Sequence, residues 1–494
     1  LLACQTALFG DRPAGFRWIS LLLHAGACLG AYRLLLAIGR PTGEARLATA
    51  WFASHPLQAG TVPYISAQPG ILCAALSLWA LHHYARASRA GARWRWGACA
   101  ALTFGAALAK EPGLLLPAAF VLVDLLTPCE APARRARNLR VAILVAAQAA
   151  GMLLVARDIA SLTEHRASGR VLAFARQQAQ VVPRDYLLGW LWPHRLEIHY
   201  GDMHYDAPPS PAPDAAKWAG FLFWPVAATA LLALRRRAPY PAGMFLWGLL
   251  WLLPTNSFVP LGQIRFDHHG YLSSVGWGAL CAWALVRAAG PRLAAASAAC
   301  LLPLLAQLCD RASRWGEPTR LWGSAVATTP LAPAAHNNLA YYDQRTGNAL
   351  HGARGFTHSL ATGFSPKSLG NLAGCLADLG RTDEAAAHLR SALARDPALL
   401  PFWAGLAHLE YLRGDVPRSA SALAEALRQG ALQQKTQRAY DEIQRIFLNQ
   451  DPRDARRWVL VGEALDAAGH ADAARELRSV AARRFPEDPR FRTE

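Results

Sequence analysis

Lys110-Glu111, His55-Pro56 and Asp267-His268-His269, with Arg265 two places ahead of the last, hold the ingredients of proton transfer beside an anionic group. Glu111 and Asp267 are carboxylates able to take a proton. Lys110, Arg265, His268 and His269 are groups able to steady developing negative charge. Each of these words ends a long apolar stretch or sits in a loop between two of them. Ionisable groups at membrane depth are costly, so a shared pocket would give them a reason to be there. Plainer readings stand beside this one. Lys110-Glu111 also fits a snorkelling, self-paired couple at a helix end. His55 also fits an interfacial residue ahead of a helix-ending proline. Arg265 with Asp267 also fits a surface ion pair of little worth. His24, inside an apolar run, reads as a structural histidine with its hydrogen bonds satisfied. Tyr200 and Trp192 read first as anchors at the membrane interface.

The elements that must carry these words are apolar runs. They cover Phe16 to Ile38, a stretch from Leu47 to the His55-Pro56 word, Tyr64 to Tyr84, Trp96 to Leu108, Gly113 to Leu126 and Val141 to Val155. After a long polar stretch, Arg157 to Lys217, come Trp218 to Leu234, Met244 to Leu253, Tyr271 to Val286 and Leu293 to Leu308. Several are shorter than the roughly 20 residues of a perpendicular span. Within the polar stretch, Val171–Val182 and Tyr186–Trp192 read as helices lying along the interface. Arg-rich loops follow every second run, at Arg40 and Arg46, Arg86 to Arg95, Arg134 to Arg140, Arg235 to Arg237, and Arg287 and Arg292. By the positive-inside rule that side is cytoplasmic. Every polar word singled out above then faces outward, as does everything after Asp310.

Composition agrees with a membrane half joined to a water-soluble half. Of 494 residues, 53% are hydrophobic and 17% charged, yet the mean hydropathy is only +0.12. The net charge of +17 sits largely in the short loops, which argues for topology and against a nucleic-acid partner. The nine cysteines show no CxxC pair and no zinc spacing, so no metal is expected from this chain's own pattern. The chain opens at Leu1 without a signal peptide, which reads as an N-terminal truncation.

Beyond residue 331 the chain is repetitive. Asn338-Leu339-Ala340 returns as Asn371-Leu372-Ala373, and each Asn lies nine residues before a glycine, Gly347 or Gly380. Gly414 and Gly469 hold the same place in later units. Gly380 and Gly414 are 34 residues apart, the period of tetratricopeptide repeats. Gln433 to Asp451 breaks the period as a degenerate unit. Such solenoids present a concave groove to peptides.

The order of words now resembles a known family. His55-Pro56, Lys110-Glu111 before a run ending in Val123-Asp124, Leu191-Trp192-Pro193-His194 followed by Tyr200, and Val259-Pro260-Leu261-Gly262-Gln263 leading to Tyr271-Leu272 stand in one sequence, with repeats trailing. Together they resemble the transmembrane and tetratricopeptide-repeat proteins, a branch of the GT-C membrane glycosyltransferases related to protein O-mannosyltransferases. The resemblance covers nearly the whole chain. It implies transfer of a sugar, such as mannose, from a polyprenyl-phosphate carrier to a protein acceptor at the outer face. It also implies a main catalytic aspartate upstream of Leu1 and leaves any divalent metal to that missing loop. Gln58, Gly60, Gln68-Pro69-Gly70 and Asp267-His268-His269-Gly270 depart from the family's pattern at positions where His, Glu or Arg is usual.

The expectation is therefore all-α. It places a polytopic membrane domain of about ten spans at residues 1–310, with an external loop over 157–217. A connector follows at 311–331, and a repeat solenoid at 332–494. Glu111 and Asp267 are the expected carboxylates of catalysis. His55, Lys110, Arg265, His268, His269 and Tyr200 are the expected substrate contacts. The repeats bind the protein acceptor on the periplasmic or lumenal side of a membrane, a bacterial inner membrane by this reading. Two alternatives are a non-catalytic, membrane-anchored repeat scaffold and an enzyme like the O-antigen ligases and polymerases.

Overall fold

The fold comes from a computed structural model, which describes residues 2–10, 12–90, 93–127, 145, 170–193, 196, 198, 214–256, 265–363, 365–433 and 435–491. Among the described residues every regular element is a helix. The chain divides into two compact units, Leu1–Thr328 and Thr329–Glu494.

In the first unit, every expected apolar run falls on a helix except Val141–Val155, which lies largely outside the described residues. Three helices are long and apolar enough to cross a membrane by length and composition: Pro13–Ala37, Ile65–Ala87 and Ser273–Arg314. Four others, Thr42–Ser54, Arg93–Ala109, Leu116–Leu126 and Pro239–Leu250, are shorter than the roughly 20 residues of a perpendicular span. Thr42–Ser54 has 13 residues and stops where Pro56 pushes His55 into extended backbone, with φ −67° and ψ 132°. Arg93–Ala109 stops at Lys110, which is also extended. Leu116–Leu126 and Pro239–Leu250 run for 11 and 12 residues.

These helices pack closely where side chains are small, the usual device of membrane bundles. A Cβ on Gly248 would meet the Trp277 indole at 1.8 Å, and one on Gly276 would meet the Met244 carbonyl oxygen at 2.6 Å. Trp79 Nε1 donates to the Gly26 carbonyl (3.1 Å), tying Gln68–Ala90 to Pro13–Ala37. Large apolar side chains on the long helices face outward: Trp18, Leu22 and Leu302 are each more than 60% exposed.

Arg170–Val181 is helical and continues through a widened turn, Val182–Leu188, to Gly189–Leu191. Tyr186 and Trp190 are buried, with Trp190 stacked on His55 and edge-on to Trp277. Trp192, beyond it, is 71% exposed.

The second unit is built from helix pairs. Pro333–Arg345 pairs with Ala349–Thr362, Pro366–Asp378 with Thr382–Arg395, Leu400–Leu412 with Val416–Leu432, and Ala455–Ala467 with Ala471–Arg484. The turn inside each pair holds Gly347, Gly380, Gly414 or Gly469 at φ between 77° and 88°. That left-handed backbone costs a side-chain-bearing residue roughly 1–2 kcal/mol, so the glycines mark the turns. The expected break in period is a short helix, Thr436–Ile443, running into a widened turn, Gln444–Leu448. Neighbouring units are stitched at the repeat spacing: Asn371 Nδ2 donates to Asn337 Oδ1 (3.2 Å) and Gln344 Nε2 to Asp378 Oδ2 (2.8 Å).

Candidate functional site

Three elements of the first unit converge. The Pro56–Gly60 turn follows the Thr42–Ser54 helix, the Asp267–Gly270 turn leads into Ser273–Ala289, and the Leu293–Arg314 helix packs against the Pro56–Gly60 turn. Asp267 sits at the junction, buried. Its Oδ2 accepts from Arg311 Nη2 at 3.0 Å, and the same guanidinium donates to the Leu196 carbonyl. A Cβ on Gly60 would come within 2.8 Å of the Asp267 Cβ. Gly60 therefore makes the space that Asp267 fills.

His268 and His269 follow Asp267 on the same turn. Their rings meet edge to face at 4.7 Å, and Phe266 packs against both. Lys110 is near enough for its charge to act on both rings. Burial first, and the Lys110 charge second, push His268 down to about 3. Burial, His268 and Lys110, in that order, hold His269 well below its usual value. Both rings are therefore neutral at ordinary pH, and within this trio only Lys110 carries charge. His269 Nδ1 is buried without a hydrogen-bond partner among the described residues. Lys110 lies over the start of the Gln68–Ala90 helix: a Cβ on Gly70, the third residue, would be 3.6 Å from its Nζ. A cation beside the positive end of a helix is a place where an anion is attracted twice. Tyr64 and Trp315 rings, 5.4 Å apart, stand at the edge, with Tyr64 also 5.7 Å from His268. Glu111 is exposed next to Lys110.

The other expected contacts have internal partners. His55 is fully buried. Its Nδ1 accepts from the Leu57 amide (3.1 Å), so Nε2 carries the proton and donates to the Trp190 carbonyl (2.9 Å). Both nitrogens are engaged and the ring is stacked, which is a structural histidine's environment. Arg265 is buried and reaches Asp185, with Nη1 at 3.3 Å from Oδ1 and 3.1 Å from the carbonyl oxygen. Tyr200 lies outside the described residues. His24 Nδ1 meets the Tyr271 hydroxyl at 2.6 Å, which ties Pro13–Ala37 to the start of Ser273–Ala289.

Arg311 and Asp185 were missed by sequence reasoning. Asp310-Arg311 looked like the polar end of an apolar run, and nothing local indicates a partner 44 residues upstream. Among the described residues, no three His, Cys, Asp or Glu side chains gather as a metal-ligand set.

No family model and no curated protein matches the chain. Among solved structures it is similar to the crystal structure of MamA protein, at 12% identity over 36% of this chain and 85% of that one, with a TM-score of 0.23.

Proposed function

We propose that the chain is an integral membrane glycosyltransferase of the GT-C kind, with a tetratricopeptide-repeat unit that binds its protein acceptor. The donor is a sugar such as mannose on a polyprenyl phosphate. One observation carries the reading: Lys110 Nζ lies over the start of the Gln68–Ala90 helix, 3.6 Å from where a Cβ on Gly70 would be, and its charge acts on the rings of His268 and His269. Lys110 and the helix end supply positive potential for a phosphate group, and the neutral imidazoles supply N–H donors. Tyr64 and Trp315 offer aromatic faces for a sugar ring. Glu111 is the carboxylate free to take the proton of an acceptor hydroxyl as the sugar–phosphate bond breaks. Asp267, gripped by Arg311, orients the His268-His269 turn.

The test is transfer of labelled hexose from a polyprenyl-phosphate donor to protein acceptors by the full chain in detergent. Lys110→Ala with Glu111→Ala abolishes transfer on this reading. Transfer that survives both substitutions rules out the site.

The burial of His55 and the ion pairs of Arg265 and Asp267 favour a second reading, a non-catalytic membrane scaffold whose polar words hold its own helices together. Absence of transfer by the unaltered chain, with intact acceptor binding, supports that reading instead.

A further inference from the structure

A second group of charges stands at the opposite end of the Arg93–Ala109 helix from Lys110. Arg95 lies in the first turn of that helix, Arg86 near the end of Gln68–Ala90 and Arg33 near the end of Pro13–Ala37. The histidines between them tie the three together. His82 Nδ1 donates to the Arg33 carbonyl (3.1 Å). Arg86 and Arg95 are near enough for their charges to act on His82, and Arg95 acts on His83 as well. Arg33 and Arg86 are exposed. Trp94 is 61% exposed, with the Arg95 guanidinium 4.6 Å over its ring and the His83 ring edge-on at 5.4 Å.

Nothing in these helices offsets the charge. Pro13–Ala37, Gln68–Ala90 and Arg93–Ala109 contain no acidic residue. Arg33, Arg86 and Arg95 form no ion pair among the described residues. Asp124, on the neighbouring Leu116–Leu126, accepts from the buried Tyr84 hydroxyl (2.9 Å). Other arginines at helix ends are matched: Arg40 and Arg287 both reach buried Glu44, at 2.6 and 3.7 Å. Like charges held together without a counter-charge repel one another, and an anion from outside relieves them.

The position of the group indicates which anion. Pro13–Ala37 and Ile65–Ala87 are long and apolar enough to cross a membrane. Arg33 and Arg86 stand near the ends of those helices, at the level where lipid phosphates lie. An exposed tryptophan suits the same zone. A headgroup ammonium would find no carboxylate among the three helices, so a zwitterionic lipid leaves part of the site unmatched. We infer that Arg33, Arg86 and Arg95 hold the phosphate of an anionic phospholipid, with Trp94 against its glycerol and upper acyl chain. The inference rests on the membrane reading of this unit and not on the transferase reading.

The experiment is native mass spectrometry of the full chain released from detergent, counting retained lipid. The probes are phosphatidylglycerol and phosphatidylcholine with the same acyl chains, and inorganic phosphate as competitor. Phosphatidylglycerol is held more tightly by about tenfold or more. Arg86→Gln and Arg95→Gln each weaken it several-fold. Arg237→Gln, on an exposed arginine that ends another helix, does not. Circular dichroism confirms the helical content of each variant. Equal retention of the two lipids, undiminished retention by both variants, or an equal loss in Arg237→Gln overturns the inference. So does displacement of the lipid by inorganic phosphate, which assigns the site to a free anion. Alkaline carbonate extraction separates the two ways of failing. A chain that stays with the membrane but shows no lipid preference contradicts this site alone. A chain released by carbonate contradicts the membrane reading and this site together.

Discussion

Asp267 shows how a single side chain can be fixed from two directions. Arg311 holds one oxygen, and the absent side chain of Gly60 makes room for the rest. The pair is largely buried, with 4% and 13% side-chain exposure, so removing one partner strands a charge. Arg311→Ala is expected to destabilise the first unit by about 3–5 kcal/mol, and Gly60→Ala by about 1–3 kcal/mol through overpacking. Thermal unfolding of the full chain in detergent checks both. In the second unit His408 accepts from Arg457 Nη1 (3.0 Å), which only a neutral ring can do. Burial, and then the Arg457 charge, lower His408 from 6.5 to about 4. The unfolded chain therefore binds the extra proton first. His408 contributes stability above pH 6.5 that is lost as pH falls toward 4. Amide exchange in Leu400–Leu412, corrected for its intrinsic pH dependence, accelerates over that window, and His408→Gln flattens the response.

At the scale of elements, the repeat unit was the more legible half. Gly347 and Gly380 sit nine residues after recurring Asn-Leu-Ala words, Gly414 and Gly469 hold the same place in later units, and each adopts the positive φ that the turn requires. Local backbone chemistry sets such turns, so sequence spacing reveals them. Gly414→Ala, at φ 78°, is expected to cost about 1–2 kcal/mol, read as faster exchange in the two helices it joins, Leu400–Leu412 and Val416–Leu432. The candidate site was legible in composition but not in partnership. Lys110, His268 and His269 were recognisable as polar words at apolar ends, and the Lys110 charge acts on both rings. Arg311 with Asp267, Arg265 with Asp185 and His55 with Trp190 are long-range pairings that no spacing rule reaches. The Tyr186–Trp192 segment was readable as a helix, but its sequence held no sign that Tyr186 and Trp190 are the side chains it buries.

At the scale of the molecule, helical class was visible in hydropathy, and the division into two units falls close to where the apolar runs end. The number of spans was less visible. Three helices meet the length and apolarity of a crossing, and Thr42–Ser54 and Arg93–Ala109 stop at the His55-Pro56 and Lys110 words. A chain held by these helices stays with the membrane pellet in alkaline carbonate, whereas a peripheral protein is released. The central claim, that Lys110 and the His268-His269 turn hold a lipid-linked phosphate, is tested most directly by thermal unfolding of the full chain in detergent with rising polyprenyl monophosphate. The account predicts saturable stabilisation that is lost in Lys110→Ala and kept in Arg93→Ala, which removes a cation from the far end of the Arg93–Ala109 helix. Equal stabilisation of Lys110→Ala and the unaltered chain, or none in either, would contradict it.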